Sequence, residues 1–232
     1  MMQTLARVGF HQSYTYFTWR NEKWDLEEYL RELAHTNVAD YMRPNFFVNT
    51  PDILHAYLQQ GGPPAFKIRA VLAALLSPSW GVYSGFELCE GNAVRAGSEE
   101  YLDSEKYQLK PRDWSEPSLA PFLTMLNRVR RDHPALHWLR NLRLHAVDSP
   151  DIMAFSKRLD DDVVLVLINL DPHGWHEGSV HLNMPELGFE WDDTLALHDE
   201  VTGVSYTWRG AHNYVRLHPY DEPAHIFTVR RG

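Results

Sequence analysis

Apolar residues in the first 140 positions fall into stretches of alternating texture. Leu26, Tyr29, Leu30 and Leu33 recur at helical spacing on one face, which predicts an amphipathic helix over Asp25 to Leu33. On either side lie two strand-like segments. Gln12 to Trp19 (QSYTYFTW) is rich in β-branched and aromatic residues and predicts a buried strand. Phe46-Phe47-Val48 predicts a short apolar strand running straight into a polar end, Asn49-Thr50-Pro51-Asp52. A helix pair follows, around Leu54 to Gln60 and Pro64 to Leu76, split by Gly61-Gly62-Pro63. Trp80 to Ser84 then reads as a strand that ends in Gly85-Phe86-Glu87, and Leu5 to Phe10 as the tail of a helix stopping at Gly9. Strand–helix alternation with short links is the pattern of parallel β/α units. Ser118 to His133, with Leu119, Phe122, Leu123, Leu126 and Val129 in phase, supplies a further amphipathic helix to close this part.

Between Glu90 and Ser115 the chain turns polar and loop-like, a length that in a compact domain usually signals function. Beyond Leu142 the pattern changes to short strands: Asp151 to Arg158, Val163 to Leu170, Gly178 to Leu182, Leu195 to Asp199, Val204 to Trp208 and Ile226 to Val229. Turn clusters such as Asp160-Asp161-Asp162 and Asp171-Pro172-His173-Gly174 separate them, which predicts an antiparallel β-sandwich. The expected organisation is therefore an α/β part over residues 1–142 and an all-β domain over 143–232.

Composition narrows the function classes. A net charge of −9 (22 basic against 31 acidic residues), without a basic patch, argues against nucleic acid or an anionic membrane as partner. The longest apolar run, Ala70 to Leu76, is too short to span a bilayer. Met1 to Phe10 lacks the apolar core of a signal peptide, so export is not expected. The single cysteine, Cys89, excludes an internal disulfide framework and fits a reducing cytoplasm; as a half-buried thiol it reads as packing, not as a nucleophile. Thirteen histidines show neither HExxH nor paired Cys/His spacing, so no metal site and no cofactor is expected; Pro134 breaks the helix that would align His133 with His137. Aromatics make up 12% of the chain, which suits a sugar-binding protein, whose rings stack on pyranose faces, but equally suits ordinary cores.

Four stretches carry a resemblance: Gly9 to Asn21 (GFHQSYTYFTWRN), Arg43 to Leu54 (RPNFFVNTPDIL), Gly81 to Leu88 (GVYSGFEL) and Glu100 to Trp114 (EYLDSEKYQLKPRDW). They resemble the C-terminal half of α-amylase-family glycoside hydrolases. More narrowly, the first, second and fourth resemble the maltosyltransferases that use α-maltose 1-phosphate to extend α-1,4-glucan. The resemblance implies the C-terminal portion of a (β/α)8 TIM barrel over residues 1–142, followed by the β-sandwich. It implies retaining glycosyl transfer, in which one carboxylate attacks the anomeric carbon and a carboxylic acid protonates the leaving oxygen, here phosphate. Asp52 matches the third carboxylate of such sites, which steadies the oxocarbenium-like transition state, although Thr50-Pro51 precedes it where the wider family has Asn-His. A plain helix N-cap is the structural alternative for Asp52. Lys106 and Tyr107 match a pair that contacts the donor's phosphate or glucose unit, the alternative being a solvated lysine. Glu87 reads as structural, and for Tyr14, Tyr16 and Trp19 strand packing is preferred over a place in the site.

The resemblance places the nucleophile and the acid/base upstream of Gly9 to Asn21, so the chain is expected to hold one of three catalytic carboxylates and to be inactive alone. The expected partners are α-maltose 1-phosphate, α-1,4-glucan and a second copy in a homodimer. Two alternatives stand beside this: another amylase-type hydrolase or trehalose-forming isomerase, distinguished by having no need of phosphate, and a non-catalytic glucan-binding remnant.

Overall fold

A computed structural model describes residues 1–106, 109–115 and 117–232. Its first part is a three-stranded parallel sheet, β1 (Ser13–Tyr14), β2 (Pro44–Phe47) and β3 (Ser79–Gly81), in the order β1-β2-β3. Helix α1 (Met2–Arg7) ends as its glycine predicts. Gly9 takes φ +107°, its N–H bonds the Ala6 carbonyl, and the Phe10 N–H bonds that of Leu5, the two bonds of a Schellman cap. Helix α2 (Lys23–His35) buries Leu26, Tyr29, Leu30 and Leu33 as its spacing requires, and a short α3 (Val38–Tyr41) leads into β2. Helix α4 (Ala56–Leu76) bends where the glycine pair predicts: Gly62 sits at φ +58°, ψ −161°, and Pro63 and Pro64 start the second half. That half is buried almost all round, from Ala65 to Leu76, and α5 (Ala120–Asp132) packs its Leu123, Leu126 and Val129 face against the same core.

The expected strand over Gln12 to Trp19 is corrected. Only Ser13 and Tyr14 pair with β2, and Tyr16–Trp19 form a 3-10 turn. The reason lies in where the backbone groups find partners. The Thr15 and Thr18 hydroxyls donate to the Asn45 and Phe47 carbonyls of β2, taking over from a backbone ladder. The buried Arg69 guanidinium donates to the carbonyls of Phe17 and Arg20, 2.7 Å each, and lies 3.8 Å from the Phe17 ring centroid. The strand predicted over Trp80 to Ser84 likewise pairs only at Ser79–Gly81.

The second part is one eight-stranded antiparallel sheet. Its strands are β4 (Leu142–Val147), β5 (Ile152–Leu159), β6 (Asp162–Asn169), β7 (His176–His181), β8 (Thr194–Asp199), β9 (Ser205–Arg209), β10 (His212–Leu217) and β11 (Ala224–Arg231). The spatial order is β10-β7-β4-β5-β6-β11-β8-β9. The six expected strands are present, and β4 and β10 join them. Val180 and Val215 from one end share a core with Leu195 and Leu197 from the other, so the sheet curls round its own apolar face, capped by the short helix α6 (Met184–Leu187). The central strands are buried on both faces. Ile152, Ala154, Leu165 and Leu167 enter that core, whereas Met153, Phe155, Val164, Val166 and Ile168 enter the core of the α/β part.

The two parts also meet at the C-terminal end of α4, whose last carbonyls have no helical partner. Arg130 of α5 donates to the carbonyls of Ala74, Ser77 and Pro78, the last at 2.7 Å. Lys157 of β5, wholly buried, donates to those of Leu76 at 2.9 Å and Trp138 at 2.7 Å. Burial, with the charge of Arg130 adding to it, pushes the Lys157 ammonium down to about 7. The unfolded chain holds that proton up to about pH 10.4. Between the two values the unfolded state binds more protons, so this group's contribution to stability rises with pH there, by up to about 1.4 kcal/mol per unit, and is lost as pH falls to 7. Lys157→Met removes the rise: urea midpoints at pH 7 and pH 9.5 are expected to diverge between parent and variant, with the parent gaining relative to the variant at the higher pH.

Candidate active site

Parallel strands deliver the residues that follow them to one end of a sheet. Past β2, Val48 and Asn49 are buried and the chain then turns, Thr50 pairing with Ile53 through reciprocal N–H···O bonds. Asp52 sits on that turn with its side chain 58% exposed and its own N–H donating to the Thr50 hydroxyl. It is not the helix cap. Helix α4 starts at Ala56, and its cap is His55, whose Nδ1 accepts from the Tyr57 N–H at 3.1 Å. The carboxylate of Asp52 is thus spared from capping.

Its partner is Lys106. The ammonium lies 2.6 Å from Asp52 Oδ1 and 4.0 Å from Glu100 Oε1, with 38% of the lysine side chain exposed. Two residues 54 positions apart, both singled out by sequence, are brought into contact. At this exposure the pair is screened and contributes little to stability, so an arriving anion displaces it at small cost. Tyr107 lies outside the described residues.

Residues that the sequence reading gave no role hold this contact in place. The buried Asn49 amide accepts from the Tyr83 N–H at 2.8 Å and donates to the Tyr101 hydroxyl at 2.6 Å, joining the end of β2, the chain leaving β3 and the 90–115 loop. Burial raises the Tyr101 phenol well above its ordinary value, so it stays protonated. Arg112, almost enclosed, forms ion pairs of 2.9 Å with both Glu90 and Glu105 and donates to the Ser84 carbonyl at 3.0 Å. Glu105 donates its N–H to the Tyr83 hydroxyl, and the Arg112 hydrogen bond holds its carboxyl below the usual range. Ser104 then links Pro51 to Lys106, its hydroxyl donating to the Pro51 carbonyl and accepting from the Lys106 N–H. The polar character of the 90–115 stretch was the sequence signal for this network.

The other expectations divide. The Glu87 carboxylate accepts from the Gly85 N–H at 3.0 Å, a contact that fits a structural part. Burial pushes the Cys89 thiol up to about 11, away from nucleophilic use. Tyr14, Tyr16 and Trp19 do not pack inside as expected: they are 62%, 55% and 41% exposed. The 3-10 turn leaves the rings of Tyr16 and Trp19 exposed, the Trp19 indole donating to Glu99, while Tyr14 lies on β1 with its ring 5.0 Å from that of Phe47. One acidic–histidine group, Asp199, Glu222 and His225, is compact enough among the described residues to suggest a cation. Its geometry says otherwise. Both oxygens of the buried Asp199 already accept, from the N–H groups of Val201 and Ile226, the Thr202 hydroxyl and His225 Nδ1. Burial pushes that carboxyl up, but these bonds outweigh it and hold it below its ordinary value.

Sequence comparison places the chain beside known enzymes. Residues 144–229 match the family model described as "GLGE, C-terminal". The chain is 62% identical, over all of its length and 35% of theirs, to an α-1,4-glucan:maltose-1-phosphate maltosyltransferase 2 from Streptomyces coelicolor. It is 51% identical, over 97% of its length, to 33% of the enzyme of that name from Mycobacterium tuberculosis H37Rv. The chain therefore spans about a third of the length of these relatives. Among solved structures, the maltogenic α-amylase AmyB of Thermotoga neapolitana shares the fold, with a TM-score of 0.67 at 10% identity over 97% of this chain and 52% of that one. Asn49 and Asp52 separate the buried framework from the exposed pair in a direct way. Asn49→Ala, which strips two buried partners, is expected to cost about 2–3 kcal/mol in urea unfolding, whereas Asp52→Asn stays within about 0.5 kcal/mol of the parent.

Proposed function

We propose that this chain, related along its whole length to the α-1,4-glucan:maltose-1-phosphate maltosyltransferases and spanning about a third of theirs, supplies one wall of a maltosyl-transfer site. The reaction moves maltosyl units from α-maltose 1-phosphate to the non-reducing end of α-1,4-glucan, with retention and release of phosphate. In this reading residues 1–142 complete a (β/α)8 barrel whose other strands lie in the part of the relatives that this chain does not span, and residues 143–232 are the β-sandwich domain. The assembled enzyme is cytoplasmic and a homodimer; among the described residues no helix is long and apolar enough to cross a membrane.

The contact between Asp52 and Lys106 carries the proposal. An anionic donor needs both groups for different reasons. The Lys106 ammonium neutralises the phosphate and orients it through charge-assisted hydrogen bonds, with Tyr107 beside it in sequence. Asp52 faces the sugar ring, where positive charge develops as the phosphate leaves, and accepts hydroxyl hydrogen bonds that tighten as the ring flattens. In the absence of donor the two charges neutralise each other. Phosphate, with its higher charge, takes Lys106 and leaves Asp52 ionised toward the reacting carbon. The nucleophile and the acid/base come from the part of the relatives outside this chain, so the 232 residues alone turn over negligibly.

A chimera tests this: these 232 residues replace the matching segment of the Streptomyces coelicolor relative, and phosphate release is measured with α-maltose 1-phosphate and glycogen. The chimera is expected to transfer, and Asp52→Asn in it to lose about 10²–10³-fold in turnover. Lys106→Ala is expected to raise the donor KM about tenfold or more, since hydrogen bonds to charged groups are worth about 1.5–3 kcal/mol. Full activity in the Asp52→Asn chimera overturns the site assignment. A chimera that hydrolyses maltooligosaccharides and ignores the phosphorylated donor points instead to the hydrolase alternative.

A further inference from the structure

At one edge of the eight-stranded sheet, β7 and β10 place two histidines directly opposite each other, His181 against His212. Their Nδ1 atoms are 2.8 Å apart and their rings are tilted by 75°. The other nitrogen of His181, Nε2, lies 2.8 Å from Asp148 Oδ1. Asp148 is itself anchored, its N–H donating to the Ser179 carbonyl at 3.0 Å. We propose that His181 and His212 form a binding site for a divalent transition-metal ion, Cu2+ or Ni2+ in preference to Zn2+, with Asp148 orienting the first ligand.

The tautomers follow from the contacts. An ionised carboxylate only accepts, so the proton of neutral His181 sits on Nε2, facing Asp148, and Nδ1 carries a lone pair. His212 Nδ1 must then be the donor of the short N–H···N bond. A carboxylate behind a histidine, fixing its tautomer and raising its basicity, is the arrangement that metal-ligating histidines use. Binding moves the His212 proton from Nδ1 to Nε2 by exchange with water, so the ring stays neutral and both Nδ1 lone pairs become available. His212 is exposed at the sheet edge and supplies the ring rotation that turns its lone pair from its neighbour onto the ion.

Ligand type selects the metal: two imidazole nitrogens, with water completing the shell, leave the coordination geometry to the ion. Tetragonal coordination with nitrogen and oxygen ligands suits Cu2+ and Ni2+, and affinity rises from Ni2+ to Cu2+. Water fills the remaining positions. The site differs from the Asp199, Glu222 and His225 group because here the ring lone pair is engaged only by a shared proton.

Titration of the metal-free 232-residue chain with Cu2+ tests the inference, read by calorimetry and by electron paramagnetic resonance. One ion per chain is expected, with an axial spectrum split by two imidazole nitrogens. His181→Ala and His212→Ala are each expected to weaken binding tenfold or more, and Asp148→Asn about tenfold. His218→Gln, at an exposed histidine just past β10, leaves binding unchanged. Wild-type affinity and spectrum retained in both alanine variants overturn the proposal. A measurement on the unaltered chain decides the matter if a variant misfolds: Cu2+ at substoichiometric levels broadens amide resonances around residues 179–183 and 210–214 first. Broadening centred elsewhere overturns the proposal equally.

Discussion

The buried C-terminal end of α4 is the point on which the rest of this structure depends. A helix that is apolar on every side can be surrounded by core, but its final carbonyls must still find donors, and no water reaches them. Arg130 and Lys157 provide those donors from α5 and β5, and the positive charge of Arg130 also complements the negative end of the helix dipole. Because one cation comes from each part of the chain, the satisfaction of a single helix end fixes the α/β part against the antiparallel sheet. The two-faced burial of β5 and β6 is the apolar counterpart of the same joint. Neither cation has a carboxylate among these partners. Carbonyl oxygens carry the whole load, and burial correspondingly depresses both side chains from their ordinary values.

With α4 held, its other cation does a second job. Arg69 collects the carbonyls of Phe17 and Arg20 and so holds a strand-like stretch as a turn that buries Phe17 and exposes Tyr16 and Trp19. The end of the small parallel sheet is then built by polar groups on a rigid base. Asn49 ties three chain segments together from a fully buried position, and Arg112 closes the long loop with two carboxylates and a carbonyl. Asp52 and Lys106 stand in front of this framework, exposed and weakly paired, which suits the exchange of partners that the proposed role requires. Rigidity behind and easily broken contacts in front is the arrangement that positions charge without reorganisation during reaction.

The fold is shared with α-amylases at 10% sequence identity, whereas the stretches around Asp52 and Lys106 resemble the maltosyltransferases in particular. Layers of helix and sheet need only apolar pattern and turns, which many sequences satisfy. A binding site, by contrast, needs particular side chains at particular chain positions.

Local pattern was sufficient for elements whose partners lie close in the chain. The apolar faces of α2 and α5, the stop of α1 at Gly9, the bend at Gly62 and most strands of the sheet follow from periodicity and backbone freedom, and all were legible. The apolar strand and polar tip around Asp52 were legible as well, in the run Phe46-Phe47-Val48 followed by Asn49 to Asp52. What only the tertiary structure decided was where each polar group finds its partner. The β-branched and aromatic content of Gln12 to Trp19 predicts a strand, but it cannot show that Arg69, some fifty positions later, takes the carbonyl of Phe17 and that of Arg20 just beyond the stretch. The polar sequence of β10, His212–Leu217, hides its two inward residues, Val215 and Leu217, among exposed ones. The apolar run of β6 does not reveal that alternate residues serve two cores. Asn49, Tyr101 and Arg112 look like ordinary loop polars until the chain closes on itself. Hydrogen bonds and ion pairs between distant positions leave no periodic trace in the sequence, so the contact of Asp52 with Lys106 emerged only when the fold brought them together.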